Sequence, residues 1–360
     1  MTPVQGSIRP SKKRHRLLMG LVGAILLTSW STLAEEGRSG SVWVVNRDRG
    51  ELAVFDAWTG AVLATRQVGR GAHDICISES AGKAYIAAEG DNMVAAVDIK
   101  TLDIEWIPVG PLPHHVEPST NGRFIYVSLD SHPVSPPAGA AQVAVIDTKD
   151  HSVSYILTSL NPLARSHGPR PSRNGHTLYV AHDTGNELTA VDLETGSIDF
   201  SATPIPRAEE AIATRDGHHL WVSSRGDGTV KRIDLRGQSA IVSVPVGVQP
   251  ESVMLAPPSD RTLIVSLRGS PATLAFVDTD ALQVESAVQI GGVGTFGDLA
   301  VLSRDGHFVY ATFDATAAGT GGVAVVDVRS RQVVATWAYP AGGRPHGIWH
   351  SSLKPHLQEE

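Results

Sequence analysis

Seven side chains that could do chemistry recur at one place in a repeating pattern. Counting back five residues from the Ser or Thr before a turn reaches His73 (from Ser78), His114 (Ser119), His167 (Ser172), Glu209 (Thr214), Asp298 (Ser303) and His346 (Ser351). In the remaining copy the hairpin is one residue longer, and Pro250 places Glu251 at the equivalent position. If chain order is ring order, His346, His73, His114 and His167 form one arc and Glu209, Glu251 and Asp298 the other. Neutral imidazole suits copper, zinc, iron and nickel, so four converging imidazoles could hold a transition metal or the iron of a porphyrin. The carboxylates opposite could join the metal site, take up a proton or orient a metal ligand. Asp74, His115, Glu117, Glu210 and Ser252 are expected as a second layer behind them. A plainer reading stays open: a channel opening is solvated, and polar residues there can simply end a strand or bond a neighbouring blade.

Other motifs are sparse. The chain has no Gly-x-Ser-x-Gly elbow, phosphate loop, His-Glu-x-x-His or Cys-x-x-Cys-His haem attachment. Gly69-Arg70-Gly71 and Gly291–Gly294 read as inter-blade turns. His151, His176, His218, His219, His307, His350 and His356 read as turn or tail residues. Cys76 is the single cysteine, so no intrachain disulfide can form. It falls on an apolar strand and reads as core filler. Arg165, Arg170, Arg207, Arg225, Arg268 and Arg344 could clamp an anionic ligand near the histidines. Catalysis is left open by these residues.

The elements that must carry the ring come from a second periodicity. Seven apolar strands end in aspartate, at Asp56, Asp98, Asp147, Asp192, Asp234, Asp278 and Asp327, spaced 42, 49, 45, 42, 44 and 49 residues apart. A period of 40–50 residues built from short strands signals a β-propeller. Turn residues such as Asn121-Gly122, Asn174-Gly175, Asp216-Gly217 and Asp305-Gly306 divide each copy into antiparallel strands. The expected fold is all-β, a seven-bladed propeller of four-stranded antiparallel blades. Residues 41–68 supply three strands without an inner one, and residues 344–351 supply an inner strand with nothing after it. The two ends should therefore share one blade and close the ring. The histidines and acids then sit where the inner strands begin, at one mouth of the channel. Second-turn loops bring Arg47, Asp48, Asp91, His132, His182, Asp183, Arg225, Asp227, Arg268 and Asp314 to the same face.

The second strands, such as Ile125-Tyr126-Val127-Ser128 and Leu178-Tyr179-Val180-Ala181, with the V-x-V-[IV]-D strands and the Gly-x-x-Pro segments at Gly343–His346 and Gly247–Glu251, resemble the YVTN family of β-propeller repeats over nearly all of residues 41–351. The architecture is also similar to the propeller of haem-containing nitrite reductases and their haem-assembly relatives. That likeness implies a modified haem over the channel mouth, with His73 or His346 as axial ligand and His114 or His167 as a distal acid. Electron delivery would then need a separate partner. A copper site like that of nitrous oxide reductase and a lactonase-type propeller are further resemblances. Against the copper site stand the three acids in place of histidines and the missing cupredoxin domain.

Lys12–Arg16 form a basic segment, Leu17–Trp30 an apolar run of 14 residues, and Thr32-Leu33-Ala34 a small-residue cleavage site. This is the layout of a secretory signal peptide over residues 1–34, and export to the periplasm is expected. As an uncleaved membrane anchor the run would require a thinned bilayer. Cleavage removes five basic residues and no acid, moving the net charge from −7 to −12. An acidic surface repels polyanions, so general nucleic-acid binding is not expected. The reading is a propeller over residues 35–351 and a polar tail over 352–360. A mature chain without a membrane span, acting as a monomer, would bind a metal, a small ligand or a periplasmic protein partner. The alternative is a haem- or metal-dependent oxidoreductase or cofactor-maturation protein.

Overall fold

The computed structural model describes residues 39–130, 141–237, 241–315, 321–340 and 342–356. The expected signal segment, His132 with the proline-bearing loop around it, and residues 357–360 lie outside the described residues.

Short runs of Val, Ile, Ala and aromatic residues with tight turns form seven four-stranded antiparallel sheets among the described residues. The innermost strands are Pro345–Ser351, Ala72–Ser78, Pro113–Pro118, Ser166–Pro171, Ala208–Ala213, Pro250–Leu255 and Thr295–Leu302. Successive inner strands touch one another around a ring, which makes the sheets the blades of a propeller. The seventh aspartate strand, Gly322–Asp327, belongs to the blade before closure. Closure itself is the shared blade: Pro345–Ser351 pairs with Ser41–Asn46, in register at Val44↔Ile348 and Trp43↔Trp349. The expected fold and its closure are therefore both present.

The core lies between blades. Trp43, Trp221, Tyr85, Tyr310, Phe55 and Phe276 are its largest fully buried side chains. Cys76 is buried among them, and burial pushes its thiol well above the ordinary range, as expected of filler. Residues 352–356 do not trail away from the ring: Ser41 donates to the Leu353 carbonyl, and the His356 amide donates to the Lys100 carbonyl at 3.1 Å.

One irregularity recurs in every blade. Where each inner strand meets its neighbour, three inner-strand steps face two partner steps, as from Ala72↔Ala88 to Ile75↔Ile86 and from Pro113↔Leu129 to Val116↔Val127. The same one-residue bulge follows Ser166, Ala208, Pro250, Gly297 and Pro345. A bulge leaves the extra residue outside the ladder and re-aims side chains. The seven bulges fall on the seven positions that recur in the sequence.

Candidate metal centre

Each bulge releases two consecutive residues from strict in–out alternation. On the third blade these are His114 and His115, and both rings turn towards the axis. Ring centroids of His73 lie 3.7 Å from His114, 3.9 Å from His346 and 5.3 Å from His115. His167 lies 4.7 Å from His114 and 4.4 Å from His115. The four predicted histidines are thus brought together, and His115 stands inside their cluster, not behind it. Ligating atoms of His73, His114 and His115 lie within 4.8 Å of one another, as do those of His115, His167 and Glu251.

The bulges hold this arrangement by a repeated device. A bulged residue's N–H has lost its ladder partner, and a buried donor without a partner is costly. Ser128 accepts from the His115 amide at 2.9 Å, Ser223 from Glu210 at 3.0 Å and Ser266 from Ser252 at 3.0 Å. Glycine permits the close approach of adjacent inner strands. A Cβ on Gly347 would lie 2.6 Å from Cα of Asp74, and one on Gly168 would lie 2.3 Å from the Glu209 carbonyl oxygen.

The site is not the solvated opening of the plainer reading. His346 and Glu209 are 0% exposed, Asp298 and Glu251 1%, His73 3%, His115 4% and His167 5%; His114 is half-buried. Burial pushes His73, His114 and His346 well below the ordinary histidine range, and neighbouring imidazoles and Arg47 push the same way. These rings are neutral at neutral pH, the form that ligates metals. Within the cluster the buried nitrogens His73 Nδ1, His115 Nε2 and His346 Nδ1 have no hydrogen-bond partner in the protein. Carboxylates stand on other ring nitrogens: Asp74 is 3.1 Å from His115 Nδ1, Glu89 2.8 Å from His114 Nδ1 and Asp298 3.2 Å from His346 Nε2. An imidazole with one nitrogen on a carboxylate and the other free is the usual posture of a metal ligand.

His167 differs. Its Nε2 is 2.9 Å from a Glu209 carboxylate oxygen and its Nδ1 3.1 Å from the Glu209 carbonyl. Burial disfavours its charge, but the Glu209 carboxylate outweighs that and raises its pKa. It is placed to hold a proton beside the other four rings.

The acid arc alternates with arginine. Arg225 lies between Glu209 at 2.9 Å and Glu251, and Arg268 between Glu251 at 3.8 Å and Asp298 at 3.6 Å. Burial and the nearby His167 and Arg225 pull Glu209 in opposite directions, and the cations prevail, keeping it ionised. Burial raises Asp298 to about 6. Most of the arginines expected as a clamp are engaged within the protein. Arg165 pairs with Asp130 and Asp183, and Arg344 with Asp314. Arg207 is half exposed and stands 3.9 Å from Glu209. Arg170 is not at this mouth at all; it lies deeper in the channel, 2.7 Å from Glu117 and 3.4 Å from Glu210. His182, expected on the loop face, is buried against Thr189. Glu89 reads in the sequence as a turn residue, yet its carboxylate reaches His114 and Arg47. Nothing in its local motif marks it.

No family model and no curated protein matches the chain. Solved structures match its fold. Hydrazine synthase of Kuenenia stuttgartiensis aligns with a TM-score of 0.66 at 18% identity, over 78% of this chain and 94% of that one. Dihydro-heme d1 dehydrogenase NirN, in complex with DHE, aligns at 0.60 and 15% identity, over 87% and 75%. A functionally unknown protein from Desulfotomaculum acetoxidans DSM 771 aligns at 0.68 and 12% identity, over 88% and 100%. The chain is thus a seven-bladed propeller similar in fold to these three. No helix among the described residues is long and apolar enough to cross a membrane.

Proposed function

We propose that this chain is an exported, YVTN-type propeller that holds a transition-metal ion in the ring channel, acting as a periplasmic binding or accessory protein. The observation that carries the reading is that ligating atoms of His73, His114 and His115 lie within 4.8 Å of one another, with buried nitrogens of His73 and His115 unpartnered and the His346 ring 3.9 Å from that of His73. Uncompensated buried nitrogens are costly, and an ion would satisfy several at once. An all-imidazole set with carboxylates behind it suits copper, zinc, iron or nickel. In this reading His73, His114 and His115 are the ligands, and His346 packs against His73 as the fourth imidazole of the set. Glu209 and Asp298 orient imidazoles and balance charge, and His167 holds a proton beside the ion. The bound ion would supply Lewis acidity or electron transfer.

Haem iron is the second reading, favoured by the fold likeness to NirN. In that reading His73 or His346 would hold the iron, and rings 3.7–3.9 Å apart leave no space between them for a macrocycle. The test is an absorption spectrum with elemental analysis on protein isolated from the periplasm without chelator or affinity metal. About one metal per chain and no Soret band is the expected result, and replacing His73 and His114 together with alanine should remove that metal while the fold survives. A Soret band would move the assignment to haem. Metal content unchanged in the double variant would refute the site.

A further inference from the structure

A buried metal centre needs a way in, and two directions lead to the cluster. On the loop side, arginines paired to acids roof it: Arg47 with Glu89, Arg225 with Glu209 and Glu251, and Arg268 with Glu251 and Asp298. Arg47, Arg268 and Arg344 all bear unfavourably on a positive charge at His346. On the opposite side three cavities with shared lining residues lead towards the cluster. A cavity of about 430 Å³ lies among the first-turn hairpins, where Glu79, Asn121 and Arg304 stand. It shares Val301, Leu302 and Trp349 with a second cavity of about 210 Å³ between the inner strands. That one shares Asp74, Glu117, Arg170 and Glu210 with a neck of about 20 Å³, and the neck ends on His115.

From this geometry we infer that the propeller's own channel is the loading route: a divalent transition-metal cation enters from the face of the first-turn hairpins and is handed by the carboxylates of Glu117, Glu210 and Asp74 to His115. The inference rests on the metal-site reading above and adds its direction of access. The four carboxylates of Glu79, Glu117, Glu210 and Asp74 outnumber the two guanidiniums of Arg304 and Arg170 along the route, so the channel favours cations. The neck has room for about one water molecule. A hydrated ion must therefore exchange water for carboxylate oxygens there, and these are the oxygens available. Asp74 stands at the hand-over, with Oδ2 3.1 Å from His115 Nδ1 and 3.1 Å from the Val116 amide nitrogen. Arg170, bridging Glu117 and Glu210, occupies the passage until the ion displaces it.

A route affects rates and not equilibria, which gives the test its discrimination. Cobalt(II) is mixed with the metal-free mature chain, and its ligand-field absorption is followed during loading and then during stripping by chelator. Val301→Trp narrows the junction of the two larger cavities; loading and stripping should both slow by about tenfold or more at unchanged final stoichiometry. Trp349→Ala widens the same junction and should speed both, which decides the matter even if Val301→Trp does not fold. Val248→Trp, on the exposed loop face, should leave both rates as they are. Wild-type rates in both channel variants, or slowing in Val248→Trp alone, would overturn the route while leaving the metal site standing. No cobalt uptake by the wild-type chain would overturn the site and the route together.

Discussion

His73, His114 and His346 are neutral because burial and neighbouring cations oppose their charge. That has a sign for stability. Their folded pKa values lie below the ordinary histidine value of 6.5, so below that pH the unfolded chain binds protons that the folded chain refuses. Each such ring costs stability as pH falls below 6.5 and contributes nothing pH-dependent above it. His167, Glu117 and Asp298 act in the opposite sense, since their folded pKa values are raised; burial lifts Glu117 to about 7. The total profile mixes both signs, and a difference between proteins isolates one ring. In metal-free protein, His346→Gln should gain stability relative to wild type as pH falls from about 7 to 5, by at most about 1.4 kcal/mol per pH unit. Urea denaturation across that range measures it. Parallel profiles would mean that His346 takes up its proton at the same pH in the folded chain as in the unfolded one.

At the scale of the strand, the bulge is what makes the site. Ser128 is buried and accepts from the His115 amide at 2.9 Å, replacing the ladder bond that the bulge removes. Ser128→Ala leaves that N–H without a partner and should cost about 1–3 kcal/mol in urea unfolding. It should also weaken metal binding, whereas Ser266→Ala, beneath Ser252 on the far arc, should cost similar stability and leave metal binding alone. Equal metal affinity in the two variants would separate the bulge from the site. The bulge also explains what could be read in advance. The aspartate period and turn residues foretell blades, closure and the positions of His73, His114, His167 and His346, because all of these are local and repeat. His115 escapes, since alternation sends the residue after an inward one outward and only the bulge reverses that. Glu89 on His114, and the pairings of Arg225 with Glu251 and of Arg268 with Asp298, escape because these partners sit on the next blade, where loop reach and not spacing decides contact. Arg170 looks in the sequence like a mouth residue, but its place on the inner strand carries it below the ring of histidines.

For the whole molecule, the shared blade joins the ends of the described chain with main-chain hydrogen bonds, from Ser41↔Ser351 to Asn46↔Pro345. Other blades touch their neighbours through side chains. The ring therefore depends on one seam, and moving the seam tests that dependence. Because Ser41 bonds the Leu353 carbonyl, a short Gly/Ser linker can join residue 354 to residue 40. New ends placed between Asp216 and Gly217, in an open first turn, leave one inner strand at the C-terminus and three strands at the N-terminus. That repeats the native seam on another blade, and this permutant should match the wild type in stability and metal content. New ends placed between Gly291 and Gly292, in the turn between two blades, leave every blade continuous and the seam held by side-chain packing alone. This second permutant should still fold, since each blade is intact, but it should lose about 2–4 kcal/mol, the typical size of a covalent cross-link. Its histidine cluster spans the first four blades and is untouched by the cut, so any loss of metal would have to come from opening of the ring. Thermal melts with metal analysis on both permutants distinguish the cases. Equal stability in the two would show that packing between blades closes the ring without the shared sheet, and that the histidine arc draws its rigidity from neighbouring blades and not from the seam.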